Sequence, residues 1–329
     1  MKGSNSLKEV CDLIVSADSV LIFPHIQMDG DTFGSSTALC RGLRAAGKTA
    51  YVLLEDKIPG YLSFLDDGLC TYDQDIIKEP DLCVGVDCAD IERFVLRRKK
   101  FTQGKKTLNV DHHKTSKLFA DFSYIDVGAA AAGEMIYNML VEMGIPIDRQ
   151  TGEGIYAAIL TDTGNYQYSN TNEKSHLITV DLFNKGIDHG YVNRMLYQNT
   201  RIEKLHISGK ILSTLKMMAG NKAVMAYVTR DMLKEVGALM EDTEGVSEML
   251  RDIGGVELSL FAKETGNSET KFSMRSKTWV DCTELSLKYD GGGHSKAAGC
   301  TIGKPIFEAA EMIEADVEEY FARAGVKND

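Results

Sequence analysis

The sequence of 329 residues has no apolar run near the ~20 residues that a transmembrane helix needs. Its first residues lack the apolar core of a signal peptide, so we expect a cytoplasmic protein that does not interact with membranes. CxxC motifs are absent, and the seven cysteines are an odd number. This pattern indicates reduced core thiols in a reducing compartment and excludes a disulfide framework.

Positive charge is in short supply. The chain has 37 lysines and arginines against 48 aspartates and glutamates, which gives a formal net charge of −11. This balance argues against a broad basic surface for long duplex nucleic acid. It leaves room for a small phosphorylated substrate, because bound divalent cations can supply positive charge locally.

The length favours two domains, each with its own core. Short apolar runs alternate with helical patterns in the first half, which predicts a doubly wound parallel sheet. The second half predicts a smaller α/β domain with a mixed sheet, and an active-site cleft between the two domains. The predicted boundaries are residues 1–198 for the first domain, 199–215 for a linker helix and 216–329 for the second domain.

Acidic and histidine side chains follow four predicted strand or helix ends of the first half. The carboxyl ends of parallel strands lie along one edge of a sheet, so these groups can converge. Imidazole nitrogens and carboxylate oxygens together suit Mn²⁺, Mg²⁺ or Co²⁺. The candidate residues are His25, Asp29, Asp31, Asp87, Asp111, His112, His113 and Asp162.

The charge of this cluster favours two metal ions over one. Four converging aspartates bring four negative charges together, and two divalent cations balance them formally. Such a pair suits attack by an activated hydroxide on a phosphorus centre. We expect His113 to donate a hydrogen bond or a proton to the phosphoryl group, and Asp111 to orient His112. Each part also has an ordinary alternative, such as a helix cap at Asp87 or a core histidine.

A second candidate site lies near the end of the chain. Three consecutive glycines and His294 precede a predicted helix start at residues 297–299, where backbone N–H groups can point at an anion. Arg275 and Ser276 follow a predicted strand, and an arginine fork matches a phosphate. The predicted phosphate-binding residues are Arg275, Ser276, Gly291, Gly292, Gly293 and His294.

These motifs, in this order, resemble the DHH phosphoesterase family and its DHH-associated C-terminal domain. Within the family, the chain is similar to the bifunctional oligoribonucleases and pAp phosphatases that act on very short RNA. The motifs that carry the resemblance are His25-x-x-x-Asp29-Gly30-Asp31, Asp87-Cys88-Ala89-Asp90, Asp111-His112-His113, Asp162-Thr163-Gly164 and Gly291-Gly292-Gly293-His294 with Ala297-Ala298-Gly299.

The resemblance implies a role for each residue. One Mn²⁺ would be held by His25, Asp29 and Asp87. The other would be held by Asp31, His112 and Asp162, with Asp87 bridging. His113 would contact the scissile phosphate, and the second domain would hold another phosphate of the substrate. The implied activity is hydrolysis of short oligoribonucleotides or dinucleotides such as pApA to nucleoside 5′-monophosphates, with pAp a second candidate substrate.

Other functions stay open from the sequence alone. A non-catalytic nucleotide sensor would use Arg275 and the glycine loop without cleaving its ligand. An inorganic pyrophosphatase or a long-chain single-strand exonuclease would use a similar metal centre. A nicotinamide-dependent dehydrogenase is excluded, because the turn after the first strand lacks GxGxxG. The sequence also leaves a homodimer open.

Overall fold

The structure, a computed structural model, describes residues 4–325. Residues 1–3 and 326–329, which the sequence analysis placed at the outer ends of the two domains, lie outside the described part. The chain divides into two compact units, the first ending at Asn199 and the second beginning at Thr200.

The first unit contains a six-stranded, fully parallel sheet with the strand order β3-β2-β1-β4-β5-β6. This order is that of a doubly wound sheet and confirms the predicted fold class. The strands are β1 (Ser19–Pro24), β2 (Thr49–Leu53), β3 (Cys70–Thr71), β4 (Leu82–Val86), β5 (Lys106–Asp111) and β6 (Phe122–Ile125).

Both faces of this sheet are covered, which explains why its central strands are continuous apolar runs. In β1, Val20 and Ile22 pack on one side of the sheet, and Leu21 and Phe23 pack on the other. The helices of this unit are α1 (Leu7–Val15), α2 (Gly30–Ala45), α3 (Arg98–Phe101), α4 (Ala132–Glu142), α5 (Arg149–Asp162), α6 (Glu173–Asn184) and α7 (His189–Tyr197).

The register of the sheet aligns the carboxyl ends of its three central strands. Pro24 at the end of β1 pairs with Val86 at the end of β4, and Val86 pairs with Val110 in β5. The residues that follow these three strands therefore start from neighbouring positions on one edge of the sheet.

The second unit is built on a six-stranded mixed sheet with the order β11-β12-β10-β9-β8-β7, as the sequence predicted. Among the strand pairs described for this sheet within residues 200–325, β8 and β9 alone are parallel. Its elements are α8 (Ile202–Leu212), β7 (Lys216–Met218), β8 (Ala223–Val228), α9 (Arg230–Val236), α10 (Val246–Arg251), β9 (Leu258–Gly266), β10 (Glu269–Ser276), α11 (Cys282–Leu287), β11 (Gly292–His294), β12 (Ala297–Ile302) and α12 (Ile306–Arg323).

Helix α8 packs within the second unit. Ile207 and Ile211 are fully buried there, in a core shared with Val224 and Leu250. The sequence predicts a linker helix over this part of the chain, at residues 199–215. Among the helices in residues 4–325, none has the length and apolar character needed to cross a membrane.

Candidate metal centre

The predicted metal ligands of the first unit lie at the ends of adjacent elements. His25 follows β1 directly, Asp87 follows β4, and His112 follows β5. Asp162 is the last residue of α5. The sheet and the two helices α2 and α5 therefore bring these side chains to one place.

Helix α2 begins with two of the carboxylates. Asp29 is the N-cap of the helix, and its Oδ1 accepts a hydrogen bond from the backbone N–H of Thr32 at 3.0 Å. Asp31 lies in the first turn and is 1% exposed. A carboxylate is favoured at a helix N-terminus, because it accepts from free N–H groups and complements the helix dipole.

Three of the side chains, here called the His25 set, are His25, Asp29 and Asp87. His25 Nε2 lies 3.7 Å from Asp29 Oδ2 and 3.6 Å from Asp87 Oδ2. Ligand atoms bound ~2.1 Å from one ion lie roughly 3 to 3.5 Å apart. Small side-chain movements would therefore let these three residues bind one cation.

A second group, here called the Asp31 set, consists of Asp31, His112 and Asp162. His112 Nε2 lies 3.6 Å from Asp31 Oδ2 and 3.7 Å from Asp162 Oδ2. It also lies 3.4 Å from Asp87 Oδ1. The two oxygens of Asp87 therefore face the two sets separately.

The backbone of Asp87 has an unusual conformation. Its φ is 56°, in the left-handed region that residues other than glycine rarely adopt, although aspartate tolerates it better than most. Its N–H still donates to Val110 O at 2.9 Å, so the turn out of β4 is fixed on the neighbouring strand. Strained residues of this kind concentrate at functional sites.

A backbone carbonyl selects the ring nitrogen that His112 presents. His112 Nδ1 lies 3.2 Å from Ala129 O, and His25 Nδ1 lies 2.7 Å from Ile26 O. A carbonyl oxygen only accepts hydrogen bonds, so a proton on Nδ1 of His112 leaves its Nε2 with a lone pair for a metal. Arg93 also donates to Ile26 O, at 3.1 Å.

Asp111 contacts His113 rather than the ring of His112. Asp111 Oδ1 lies 2.7 Å from His113 Nδ1, and Asp111 is fully buried. The prediction that Asp111 orients the imidazole of His112 is therefore wrong. From His112, the backbone N–H donates to Asp111 at 2.9 Å, whereas the ring Nδ1 lies 3.2 Å from Ala129 O.

Burial and neighbouring negative charges raise the pKa values of two of the carboxylates. Burial raises the pKa of Asp31 well above its usual value, and the charges of Asp87 and Asp162 add to the effect. Burial also raises the pKa of Asp162 to about 6, although the nearby His112 opposes this change. Without cations, this cluster binds extra protons to relieve its negative charge.

The pKa values of the imidazoles are also raised, although burial acts on them in the opposite direction. Burial alone would lower the pKa of His25, but the carboxylates of Asp29 and Asp87 outweigh it and raise the pKa to about 9. For His112, burial is likewise outweighed by Asp87, Asp31 and Asp162, and its pKa rises to about 10. The negative potential that holds these protons would equally attract cations.

Two atoms at the centre of the cluster are buried without a hydrogen-bond partner. They are Asp87 Oδ1 and His112 Nε2. Buried polar atoms without partners are costly, and a bound cation would satisfy both. The oxygen and imidazole donors, their spacing and these unpaired atoms all fit divalent metal ions.

The predicted phosphate loop of the second unit has a different structure. The glycines do not precede a helix: Gly292–His294 is strand β11, and the predicted helix start belongs to strand β12 (Ala297–Ile302). A Cβ on Gly293 would lie 2.5 Å from Ala297 O, and its φ is 140°. Close strand packing therefore requires glycine here, independently of any ligand.

The other predicted phosphate-binding residues lie near this hairpin. Ser276 N donates to Lys296 O at 2.9 Å, which joins the end of β10 to the turn after β11. Ser276 Oγ is buried and has no partner. Arg275 Nε donates to Glu248 Oε1 at 2.9 Å, so its guanidinium is already paired. His294 is exposed.

Sequence reasoning missed three side chains that contact the ligands. Ser35 donates to Asp31 Oδ1 at 3.0 Å. Ser35 comes one helical turn after Asp31, so helix spacing could have indicated this contact. Asn170 Nδ2 lies 3.3 Å from Asp162 Oδ2, and Arg93 Nη2 lies 2.8 Å from His25 Nδ1. Both lie outside regular α-helices and strands, where no periodic pattern reveals a contact.

The fold and the site define an α/β protein with a carboxylate–histidine cluster, able to hold metal ions, at the strand ends of its first unit. Residues 19–159 match the model of the DHH family N-terminal domain, and residues 220–323 match the model of the DHHA1 domain. These two matches span more than half of the chain. The chain therefore belongs to the DHH family.

The chain is also similar to named relatives over nearly its whole length. It is 29% identical to the bifunctional oligoribonuclease and PAP phosphatase NrnA of Thermus thermophilus, over 93% of this chain and 91% of that protein. It is 27% identical to the protein of the same name from Bacillus subtilis, over 92% and 94% of the two chains.

A solved structure shares the fold. It is that of an exopolyphosphatase-related protein from Bacteroides fragilis, with a TM-score of 0.90 and 24% identity over 96% of each chain. At this level of identity, the likeness supports the fold alone.

Proposed function

We propose that this protein is a metal-dependent phosphoesterase that hydrolyses short oligoribonucleotides to nucleoside 5′-monophosphates and also dephosphorylates pAp. The observation that carries the proposal is the pair of ligand sets that face the two oxygens of Asp87. The names of the relatives from T. thermophilus and B. subtilis support the substrate class.

We propose that two divalent ions, with Mn²⁺ the first candidate, bind to this centre. The His25 set would hold one ion and the Asp31 set the other, and Asp87 would contact both. When bound, such ions lower the pKa of water and offset the negative charge of a phosphoryl group. An acidic chain would in this way accept a polyanionic substrate.

We propose that His113 contacts the substrate. Its Nδ1 faces Asp111 Oδ1, which fixes the ring and leaves Nε2 directed elsewhere. The side chain of His113 is 39% exposed, whereas His25 is 3% exposed. We assign to Nε2 of His113 a hydrogen bond or a proton donated to a phosphate oxygen.

In the second unit, we propose that Arg275, Ser276 and His294 bind a phosphate group of the substrate. Ser276 Oγ has no partner within the protein, and Arg275 would have to exchange its carboxylate partner Glu248 for the phosphate. The neighbouring glycines, Gly291 to Gly293, would allow a close approach to the backbone.

The direct test is hydrolysis of a five-nucleotide RNA, with pAp assayed in parallel. We expect mononucleotide release with Mn²⁺, none with a chelator, and a near-complete loss in Asp162→Asn. The matched control is Asp90→Asn, because Asp90 pairs with Lys117 near the site without belonging to either set. Chelator-resistant turnover, or equal loss in both variants, would reject the proposal. Tight binding of intact RNA without cleavage would favour the nucleotide sensor.

A further inference from the structure

One short stretch of backbone supports every member of the Asp31 set. It comprises residues 129–133, which lead into helix α4 and are here called the 129–133 segment. Two of its N–H groups donate to Asp31: Ala132 N to Oδ2 at 2.7 Å and Gly133 N to Oδ1 at 3.0 Å. These bonds fix both oxygens of a carboxylate that is 1% exposed.

The other two ligands of the set are linked to carbonyl groups of the same segment, His112 directly and Asp162 through the side chain of Asn170. Ala129 O lies 3.2 Å from His112 Nδ1 and so selects the tautomer of His112. Ala130 O accepts a hydrogen bond from Asn170 Nδ2 at 3.0 Å. Asn170 Nδ2 also lies 3.0 Å from Asp162 O and 3.3 Å from Asp162 Oδ2. A shift of the segment would therefore move all three ligands.

The segment is held in turn by Glu134. This carboxylate is 1% exposed, and Oε2 accepts from Ala130 N at 3.2 Å. Its other oxygen, Oε1, accepts from Ser175 Oγ at 2.5 Å. Ser175 is fully buried at the start of helix α6. Glu134 thus links the segment to helix α6. This link depends on the two acceptor oxygens of the Glu134 carboxylate.

The His25 set is held by other contacts. Asp29 accepts from Thr32 N, His25 lies against Ile26 O, and Asp87 N donates to Val110 O. None of these contacts involves the 129–133 segment. The two sets can therefore be perturbed separately.

We propose that Glu134 is a positioning residue that aligns the Asp31 set for its metal ion through the 129–133 segment, and that it has no such effect on the His25 set. The inference rests on the proposed metal centre. It gives a role to a buried carboxylate that does not contact the ion itself and acts through the segment and the ligands. The sequence motifs give this carboxylate no role. The selectivity between the two sets distinguishes positioning from a general contribution to folding.

The test measures Mn²⁺ affinity by calorimetry without substrate, in two backgrounds of the full chain. His25→Ala leaves the Asp31 set, and Asp162→Ala leaves the His25 set. We expect Glu134→Leu, which keeps the volume and removes the acceptors, to weaken Mn²⁺ binding about tenfold or more in the His25→Ala background. In the Asp162→Ala background we expect no change.

Glu134→Gln provides the rescue. Its amide oxygen can still accept from Ala130 N, so we expect affinity within about threefold of the parent protein. The matched control is Glu153→Leu, because Glu153 is another buried carboxylate on a helix of the same unit, bonded to Arg149 and Asp188 N. It should leave Mn²⁺ affinity unchanged in both backgrounds.

The outcomes separate this inference from the proposed function. Equal weakening in both backgrounds, or none in either, would overturn the inference, as would a His25→Ala protein that binds no Mn²⁺. If Glu134→Leu fails to fold, Ser175→Ala is measured in the same way and should weaken only the Asp31 set. Two-site Mn²⁺ binding without RNA hydrolysis in the wild-type protein would reject the proposed function and leave this inference standing.

Discussion

At the scale of single residues, Asp87 is the position on which the centre depends most. Its two oxygens face different histidines, and one of them has no partner within the protein. Its left-handed backbone turns the chain away from the end of β4. The sequence identified this residue because it follows an apolar strand, but it gave no sign of the unusual φ.

We predict that replacing Asp87 separates its chemical role from its conformational role. Asp87→Asn should reduce hydrolysis about a thousandfold yet keep the free energy of unfolding, since asparagine also tolerates the left-handed region. Asp87→Ala should lose the same activity and about 1 kcal/mol of stability. Kinetics and urea denaturation without metal check both outcomes. Equal stability of the two variants would contradict the conformational part.

A second prediction concerns pH and Asp81, which is remote from the metal centre. The ammonium of Lys105 and the hydroxyl of Ser19 lower the pKa of Asp81 from 3.8 to about 2. A lowered native pKa stabilises the fold above the unfolded pKa, and this stabilisation is lost as the pH falls from about 4 to 2.

Asp81→Asn should therefore cost about 1 kcal/mol at pH 7, after allowing for solvent screening. Between pH 4 and pH 2, the variant should lose less stability than the wild-type protein. Urea denaturation at several pH values measures both. Parallel stability curves for the two proteins would show that Asp81 does not contribute in this way.

The residue scale also shows the limit of sequence reasoning. The convergence of His25, Asp29 and Asp87 could be anticipated, because strand ends and helix starts fix where these side chains begin, whereas their grouping on one ion came from the family resemblance. The partner of Asp111 could not, because it depends on the side-chain directions of two adjacent histidines. Contacts made by backbone atoms, such as those of the 129–133 segment, carry no signature in residue type.

At the scale of elements, the close approach of helices α2 and α5 sets the distance between Asp31 and Asp162. A Cβ on Gly34 would lie 2.5 Å from Gly154 O, so the two helices touch backbone to backbone. Asp31 lies at the start of α2 and Asp162 at the end of α5. The glycine contact therefore positions the Asp31 set as well as the core.

We predict that Gly34→Ala destabilises the protein by about 2 kcal/mol, because the added methyl group has rigid backbone as its neighbour. The control is Gly190→Ala in α7, where the nearest atoms to a new Cβ lie 3.5 Å away. That change should be neutral or stabilise by up to about 0.5 kcal/mol. Thermal unfolding of both variants is the measurement. Equal effects of the two substitutions would contradict this account of the helix contact.

The helices and strands also differ in how well their sequence predicts them. The apolar strands β1, β4 and β5 were clear from composition alone. Strands β11 and β12 were mistaken for a loop and a helix start, because small residues fit both a tight anion-binding turn and closely packed strands. The deciding factor is tertiary: neighbouring backbone leaves no room for a Cβ at Gly293.

At the scale of the whole molecule, the chain divides into two units, the first ending at Asn199. All members of the His25 set and the Asp31 set lie in the first unit. Metal binding should therefore stabilise the first unit, because an ion that binds only the folded state raises its stability.

We predict that Mn²⁺ slows amide hydrogen exchange at the ends of β1, β4 and β5 and at the start of α4. The amides of the second unit should exchange at unchanged rates. Hydrogen exchange followed by mass spectrometry, with and without a chelator, provides the measurement. Protection confined to the second unit would place the metal elsewhere.

The most direct measurement of the central claim is anomalous X-ray diffraction from crystals grown with Mn²⁺. The account predicts two anomalous peaks about 4 Å apart, one within bonding distance of the His25 set and one within bonding distance of the Asp31 set, with Asp87 next to both. A single peak, or peaks away from Asp87, would contradict it.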